Sequence, residues 1–159
     1  MNSSVLEQKY QSASYLRLHL TATTQGVIPT KQLQEVVIIE SDRLTPIPNM
    51  PPWIMGLLNQ RSRIFWVIDL PHFLGLAPIH SEGDNYNLAI VRIEEKAVGL
   101  RLDTVEGIIR FAPENIQSPV GVVPSALEPY LSGCILYAEE ILLVLEAAAI
   151  VQGASNQLF

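Results

Sequence analysis

A single cysteine, Cys134, rules out an intrachain disulfide and any zinc site built from several cysteines. It lies in the apolar run Cys134-Ile135-Leu136 and reads as a small buried hydrophobe. Basic residues are few: 10 Lys and Arg against 16 Asp and Glu give a net charge of −6. No basic stripe follows the chain, so nucleic acid is excluded as a partner on electrostatic grounds. Long apolar runs are missing too. The longest candidate, Ile141 to Val151, is broken by Glu146 and is shorter than the ~18 residues of a membrane span. Residues 1–14 carry no apolar signal core, so the sequence predicts a cytoplasmic protein without membrane insertion.

Catalytic signatures are equally scarce. There is no HExxH, GxSxG, Walker loop or GxGxxG, and His19, His72 and His80 lack metal-ligand spacing. Each histidine reads as structural or exposed, and no cofactor or metal is implied. Asp69 and Glu146 each stand between an apolar strand and a short helical pattern. Paired carboxylates could serve acid–base chemistry. Capping of the following helices is the simpler role. An enzyme acting through Asp69, Glu146 or a histidine therefore has little motif support.

What is present is β pattern. Tyr15 to Leu20 alternates apolar and polar side chains, and Val36-Val37-Ile38-Ile39 is β-branched throughout. Strands are also expected at Val27-Ile28, Ile64 to Leu70, Leu88 to Ile93, Val98 to Leu102, Val105 to Phe111 and Ile141 to Leu145. Pro46, Pro48, Pro51 and Pro52 stiffen a connection that leads into an expected helical turn at Trp53-Ile54-Met55. Asp69 to Gly75 reads as a short capped helix. Gly75 to Asn87 reads as a linker. Ala147 to Val151 is helix-prone, with Gly153 as its expected stop.

The two halves resemble each other. Trp53-Ile54-Met55-Gly56 aligns with Tyr130-Leu131-Ser132-Gly133, and the same spacing pairs Ile64 with Ile141, Val67 with Val144 and Asp69 with Glu146. Upstream, Glu35-Val36 pairs with Glu106-Gly107 at an offset of 71 (106 − 35). Two small similar β-units follow, neither of which has much stability alone. Glu35 and Arg61 flank the two most apolar strands of the first unit, where a bidentate carboxylate–guanidinium pair would pin a loop.

At these residues the chain resembles the CheW family of chemotaxis coupling proteins. Leu33-Gln34-Glu35-Val36 is similar to the family's V-Q-E-I strand. Ile47-Pro48-Asn49-Met50-Pro51 and Ile54 to Arg61 resemble I-P-x-x-P…I-x-G-x-x-N-x-R-G, running into a strand that ends in Ile68-Asp69-Leu70. Val98 to Val105 is like V-G-x-x-V-D-x-V, and Tyr130 to Gly133 precedes Leu142-Leu143-Val144-Leu145. The matches keep family order across residues 14–151.

The resemblance implies an all-β fold of two packed five-stranded SH3-like β-barrels with a few short helices. Residues 1–13 would form a flexible arm, 14–75 the first barrel, 86–151 the second and 152–159 a tail, with strand exchange between the barrels left open. It implies a non-catalytic adaptor that couples methyl-accepting chemoreceptors to a CheA-type histidine kinase. Its partners would be the kinase's regulatory domain and the receptor's cytoplasmic tip. Type IV pilus motility or phototaxis is the favoured output. The alternative is a stand-alone β-barrel module that binds an unrelated peptide or small ligand. Carried over by motif, Glu35 and Arg61 hold a loop at the receptor groove. Leu33, Val36, Leu88 and Val105 supply apolar contacts, while Gly56 and Gly99 allow close backbone approach. Two departures stand out: Ser62 replaces the family's glycine, and Pro71 an arginine often found there. Serine avoids the positive φ that glycine permits, so Ser62 is expected to alter the loop.

Overall fold

The computed structural model describes residues 12–79 and 83–158. Besides four single 3-10 turns between strands, eleven strands and two α-helices occur among them. In chain order they are β1 (Ala13–His19), β2 (Gln25–Pro29), β3 (Leu33–Glu40), β4 (Leu44–Thr45), β5 (Ile54–Gln60), β6 (Arg63–Asp69), α1 (Leu70–Phe73), β7 (Asn85–Ile93), β8 (Lys96–Leu102), β9 (Thr104–Phe111), β10 (Leu131–Tyr137), β11 (Glu140–Leu145) and α2 (Ala147–Leu158). Residues 1–11 of the expected arm lie outside the described residues, and Ala13 already belongs to β1. His80 of the expected linker lies outside them as well.

The strands form two sheets, ordered β3-β7-β8-β6-β5-β4 and β10-β11-β2-β1-β9. Both curl into barrel-like halves, the two packed SH3-like barrels that the motifs imply. The N-terminal hairpin β1–β2 pairs with the C-terminal strands β9 and β11, while β7–β8 pairs with β3 and β6. Each hairpin thus completes the barrel whose other strands come from the opposite half of the sequence.

The two barrels repeat each other in register. Ile54 opposes Ile68 and Gly56 opposes Val67 across a bulge. Leu131 opposes Leu145 and Gly133 opposes Val144 across another, each residue 77 positions later (131 − 54, 144 − 67). The parallel pair β6–β8 has its counterpart in β11–β2. For the upstream strands the structure corrects the offset to 72. Leu33 and Glu35 face Val91 and Ile90, and Val105 and Gly107 face Leu18 and Arg17 (105 − 33, 107 − 35). Gln34 and Glu106 therefore occupy matching bulges, and Glu35 matches Gly107.

Three apolar clusters hold the molecule together. Ile39, Leu58, Phe65, Val67, Leu88 and Ile90 fill the β3–β8 barrel. Tyr15, Val27, Phe111, Ile135, Leu142 and Val144 fill the other. In the latter Tyr15 stacks on Phe111 at 4.0 Å between ring centroids, and burial raises its phenol above the usual 10.0. The largest cluster joins the outer faces of both sheets to α2, with Leu18, Leu20, Ile28, Ile68, Leu100, Leu145 and Ile150 nearly free of solvent. Most of the apolar burial that stabilises the fold is therefore shared between barrels.

Two local expectations change. Trp53 forms no helical turn: Pro52-Trp53 lie in a turn closed by the Ile54 amide donating to the Pro51 carbonyl at 3.0 Å, and Ile54 starts β5 opposite Ile68. Sheet pairing outweighs the weak helical signal of so short a segment. Gly153 does not end its helix, which runs to Leu158. A Cβ there would lie 2.9 Å from Tyr130 Cε1, so this glycine permits close helix packing. Tyr130 in turn meets Phe73 edge-on at 5.0 Å, and Phe73 meets Trp53 at 4.9 Å. One aromatic row spans both barrels.

Candidate partner-binding site

The turn between β5 and β6 contains only Arg61 and Ser62, since Gln60 pairs directly with Arg63. Both turn residues have positive φ, 52° and 65°. A two-residue connection with this backbone matches the right-handed twist of its strands, which is why hairpins favour it. Ser62 thus takes the left-handed conformation in place of glycine. The equivalent turn of the other barrel does the same with Ala138 and Glu139, at φ 49° and 66°.

The turn aims Arg61 at β3. Arg61 Nε lies 3.1 Å from Glu35 Oε2, and Gln60 Nε2 donates to Glu35 Oε1 at 3.4 Å. Glu35 is only 18% exposed against 78% for Arg61. A half-buried carboxylate therefore accepts both donors. β3 and β5 stand toward opposite ends of the sheet order. The side-chain contacts close the barrel where the ladder does not run.

Among the described residues β3 pairs with β7 alone, and its other edge carries no ladder partner. Its outward residues Val36 and Ile38 are exposed, at 42% and 69%. Such an edge is a template for another chain or a seat for apolar side chains. Leu33 and Val105 occupy matching places beside the bulges of β3 and β9, half-buried against the shared core.

The other residues named from sequence face inward. Leu88 is fully buried inside the β3–β8 barrel. Gly56 has φ 138°, and a Cβ on it would collide with the Thr45 carbonyl oxygen. Gly99 is packed so that a Cβ would reach Val67 Cγ2 at 3.1 Å and Phe65 Cε2 at 3.4 Å. The structure thus brings Glu35, Arg61 and Val36 to one edge and places Leu88, Gly56 and Gly99 behind it. Gln60 and Ile38 belong to the same edge. The two-residue alternation from Val36 signals Ile38, whereas nothing in the sequence singles out Gln60.

The carboxylates named for chemistry have structural partners. Asp69 accepts the His72 amide at 3.2 Å and lies 3.7 Å from Arg101 Nη1. Glu146 departs from the capping role: its carbonyl takes the first helical bond, from the Ile150 amide at 3.1 Å, while its carboxylate accepts Ser132 Oγ at 2.9 Å. His19 Nε2 lies 2.5 Å from Glu106 Oε1 at the surface. Cys134 is buried, its thiol 3.8 Å from the Ser118 carbonyl oxygen. Among the described residues, no helix is long and apolar enough to cross a membrane.

Comparison with known proteins agrees with this architecture. A family model described as the CheW-like domain matches residues 16–155. The chain is 29% identical over 117 residues to chemotaxis protein CheW of Treponema pallidum, covering 72% of this chain and 68% of the relative. It is 27% identical over 128 residues to protein PilI of Pseudomonas aeruginosa, covering 79% and 68%. The crystal structure of scaffolding protein TtCheW from Thermoanaerobacter tengcongensis superposes with a TM-score of 0.73 over 84% of each chain, at 23% identity, a likeness of fold. With the family model spanning both barrels and α2 as far as Ser155, this chain belongs to the CheW-like family.

Proposed function

We propose that this chain is a non-catalytic adaptor that couples methyl-accepting chemoreceptors to a CheA-type histidine kinase in a chemotaxis-like array. The observation that carries the reading is the family match over residues 16–155, which takes in nearly every described element. Members of this family are scaffold and adaptor proteins of chemotaxis rather than enzymes. The likeness to PilI supports a pilus-related output, with phototaxis as the other candidate.

A scaffold works by presenting surfaces. In this reading the receptor's helical tip lays its apolar stripe along the β3 edge, over Val36 and against Leu33 and Val105, as helix-in-groove recognition requires. Glu35 and Arg61 hold the adjoining hairpin in one position, so that little ordering entropy remains to be lost on binding. Leu88, Gly56 and Gly99 act from inside by fixing where the strands lie. The kinase's regulatory domain occupies a separate surface.

The test is titration of the full chain with a receptor cytoplasmic fragment. Arg61→Glu places two carboxylates together and frees the turn, and is expected to weaken binding about tenfold, or about 1.4 kcal/mol. Because Arg61 is largely exposed, its pair contributes at most about 1 kcal/mol to folding, and the variant should still melt cooperatively. Unchanged affinity in a folded Arg61→Glu variant would remove the β3 edge from the receptor site.

A further inference from the structure

The repeat lets one barrel serve as a control for the other at their open ends. In the β9–β11 barrel the end is neutralised from within. Glu140 Oε2 takes Arg17 Nη2 at 2.6 Å and Gln25 Nε2 at 2.8 Å, and His19 lies against Glu106. Tyr137 lies beneath the Arg17 guanidinium, 5.4 Å from it. Five polar side chains and a ring are thereby partnered with one another at this end.

The matching positions of the β3–β8 barrel are filled differently. Glu140 corresponds to Arg63, since Tyr137–Glu140 and Gln60–Arg63 are equivalent pairs. His19 corresponds to Arg92, because His19 faces Gln25 as Arg92 faces Ala97. Arg17 corresponds to the fully buried Ile90. Where one barrel has an acid and a histidine with internal partners, the other has two arginines. Among the described residues neither Arg63 nor Arg92 has a carboxylate within ion-pair distance, and Glu35 is taken by Arg61.

The two arginines line an open cleft of about 370 Å³ with Ile64, Phe65, Glu95 and Ala97. Ile64 is 69% exposed. Around it the cleft continues into a second of about 340 Å³, where Trp66, Val98, Ala154 and Leu158 give an apolar floor between the barrel and α2, with Lys96 at its side. An apolar trough with a cationic rim stands out on a chain of net charge −6. Glu95 is the one acid among the residues lining either cleft.

We infer that this barrel mouth is a docking site for an acidic amphipathic helix of a partner protein. Its carboxylates bind Arg63 and Arg92, and its apolar side chains fill the trough from Ile64 to α2. The partner supplies in trans the charge that Glu140 supplies in cis in the other barrel. Guanidinium groups suit the role, because they stay charged and offer a planar fork to carboxylates. The inference stands on the comparison of the two barrels and does not depend on which protein occupies the β3 edge.

The full chain tests it by fluorescence anisotropy with two fluorescein-labelled helical peptides. One has leucines at i, i+3, i+4 and i+7 flanked by glutamates, and the other has glutamine at every glutamate position. The acidic peptide is expected to bind with affinity that falls as salt rises, and the glutamine peptide at least about tenfold more weakly. Arg63→Glu and Arg92→Gln should each weaken the acidic peptide about tenfold, and Ile64→Ser should weaken both peptides. Arg110→Glu, on β9 and outside both clefts, should leave binding within about twofold. If Arg63→Glu fails to melt cooperatively, Arg63→Gln replaces it. Equal affinity for the two peptides, no effect of either arginine change, or an equal loss with Arg110→Glu would overturn the inference.

Discussion

At positions 61 and 62 the backbone takes a conformation that costs a side-chain-bearing residue roughly 1–2 kcal/mol. The turn persists because only two residues connect strands whose ladder runs up to Gln60 and Arg63. Replacing Ser62 by glycine relieves that cost but adds freedom to the unfolded chain. A net gain of about 0.5–1 kcal/mol is expected, a rise of a few degrees in melting temperature by calorimetry. Ala138→Gly in the matching turn should behave alike. An unchanged or lowered melting point in both would mean that the turns are unstrained. Gly56 is the opposite case, with φ 138° and the Thr45 carbonyl oxygen where a Cβ would go. Gly56→Ala should cost about 3 kcal/mol or more, visible as a lower midpoint in urea.

Single strands show why a motif residue is not always a contact residue. The family resemblance implies Val36 and Leu88 alike as apolar contacts, yet one is on the outer face of β3 and the other inside the barrel on β7. Leu88→Ala should cost about 2–5 kcal/mol in stability. Val36→Ala should change stability by at most about 0.5 kcal/mol and act on receptor binding instead. Urea melts and receptor titration of both variants would separate the two roles. Equal stability loss would contradict the assigned faces. The same alternation explains what could be read in advance. β-branched runs such as Val36 to Ile39 announced their strands, and Asp69 with Pro71 announced α1. β5 and β10 gave weaker signals, because Gly56, Asn59 and Gln60, or Ser132 and Gly133, interrupt their apolar pattern. Gly153 looked like a helix stop because its reason, the Tyr130 ring above it, is a tertiary contact.

Across the whole molecule the repeat was legible and the exchange was not. Similar halves show which segments share a conformation. They do not show which hairpin docks on which strands, since β1–β2 and β7–β8 present equivalent edges. The connections decide it: only residues 30–32 separate β2 from β3, and Asp103 alone separates β8 from β9. Because each barrel borrows a hairpin and the largest apolar cluster is shared, the two should unfold together. Calorimetric and van't Hoff enthalpies are expected to agree. A second resolved transition would show that the barrels are independent. Removing residues 1–29 deletes β1 and β2, leaving β9 without its ladder partner and β11 with β10 alone, so cooperative melting should be lost.

The adaptor account rests above all on an interaction with the kinase. Its most direct test is titration calorimetry of the cooperatively folded full chain against the regulatory domain of the CheA-type kinase from the same organism. The account predicts saturable binding in the micromolar range or tighter, equivalent to about −8 kcal/mol or better, and no heat of turnover. A folded chain that shows no binding at high micromolar concentration would contradict it.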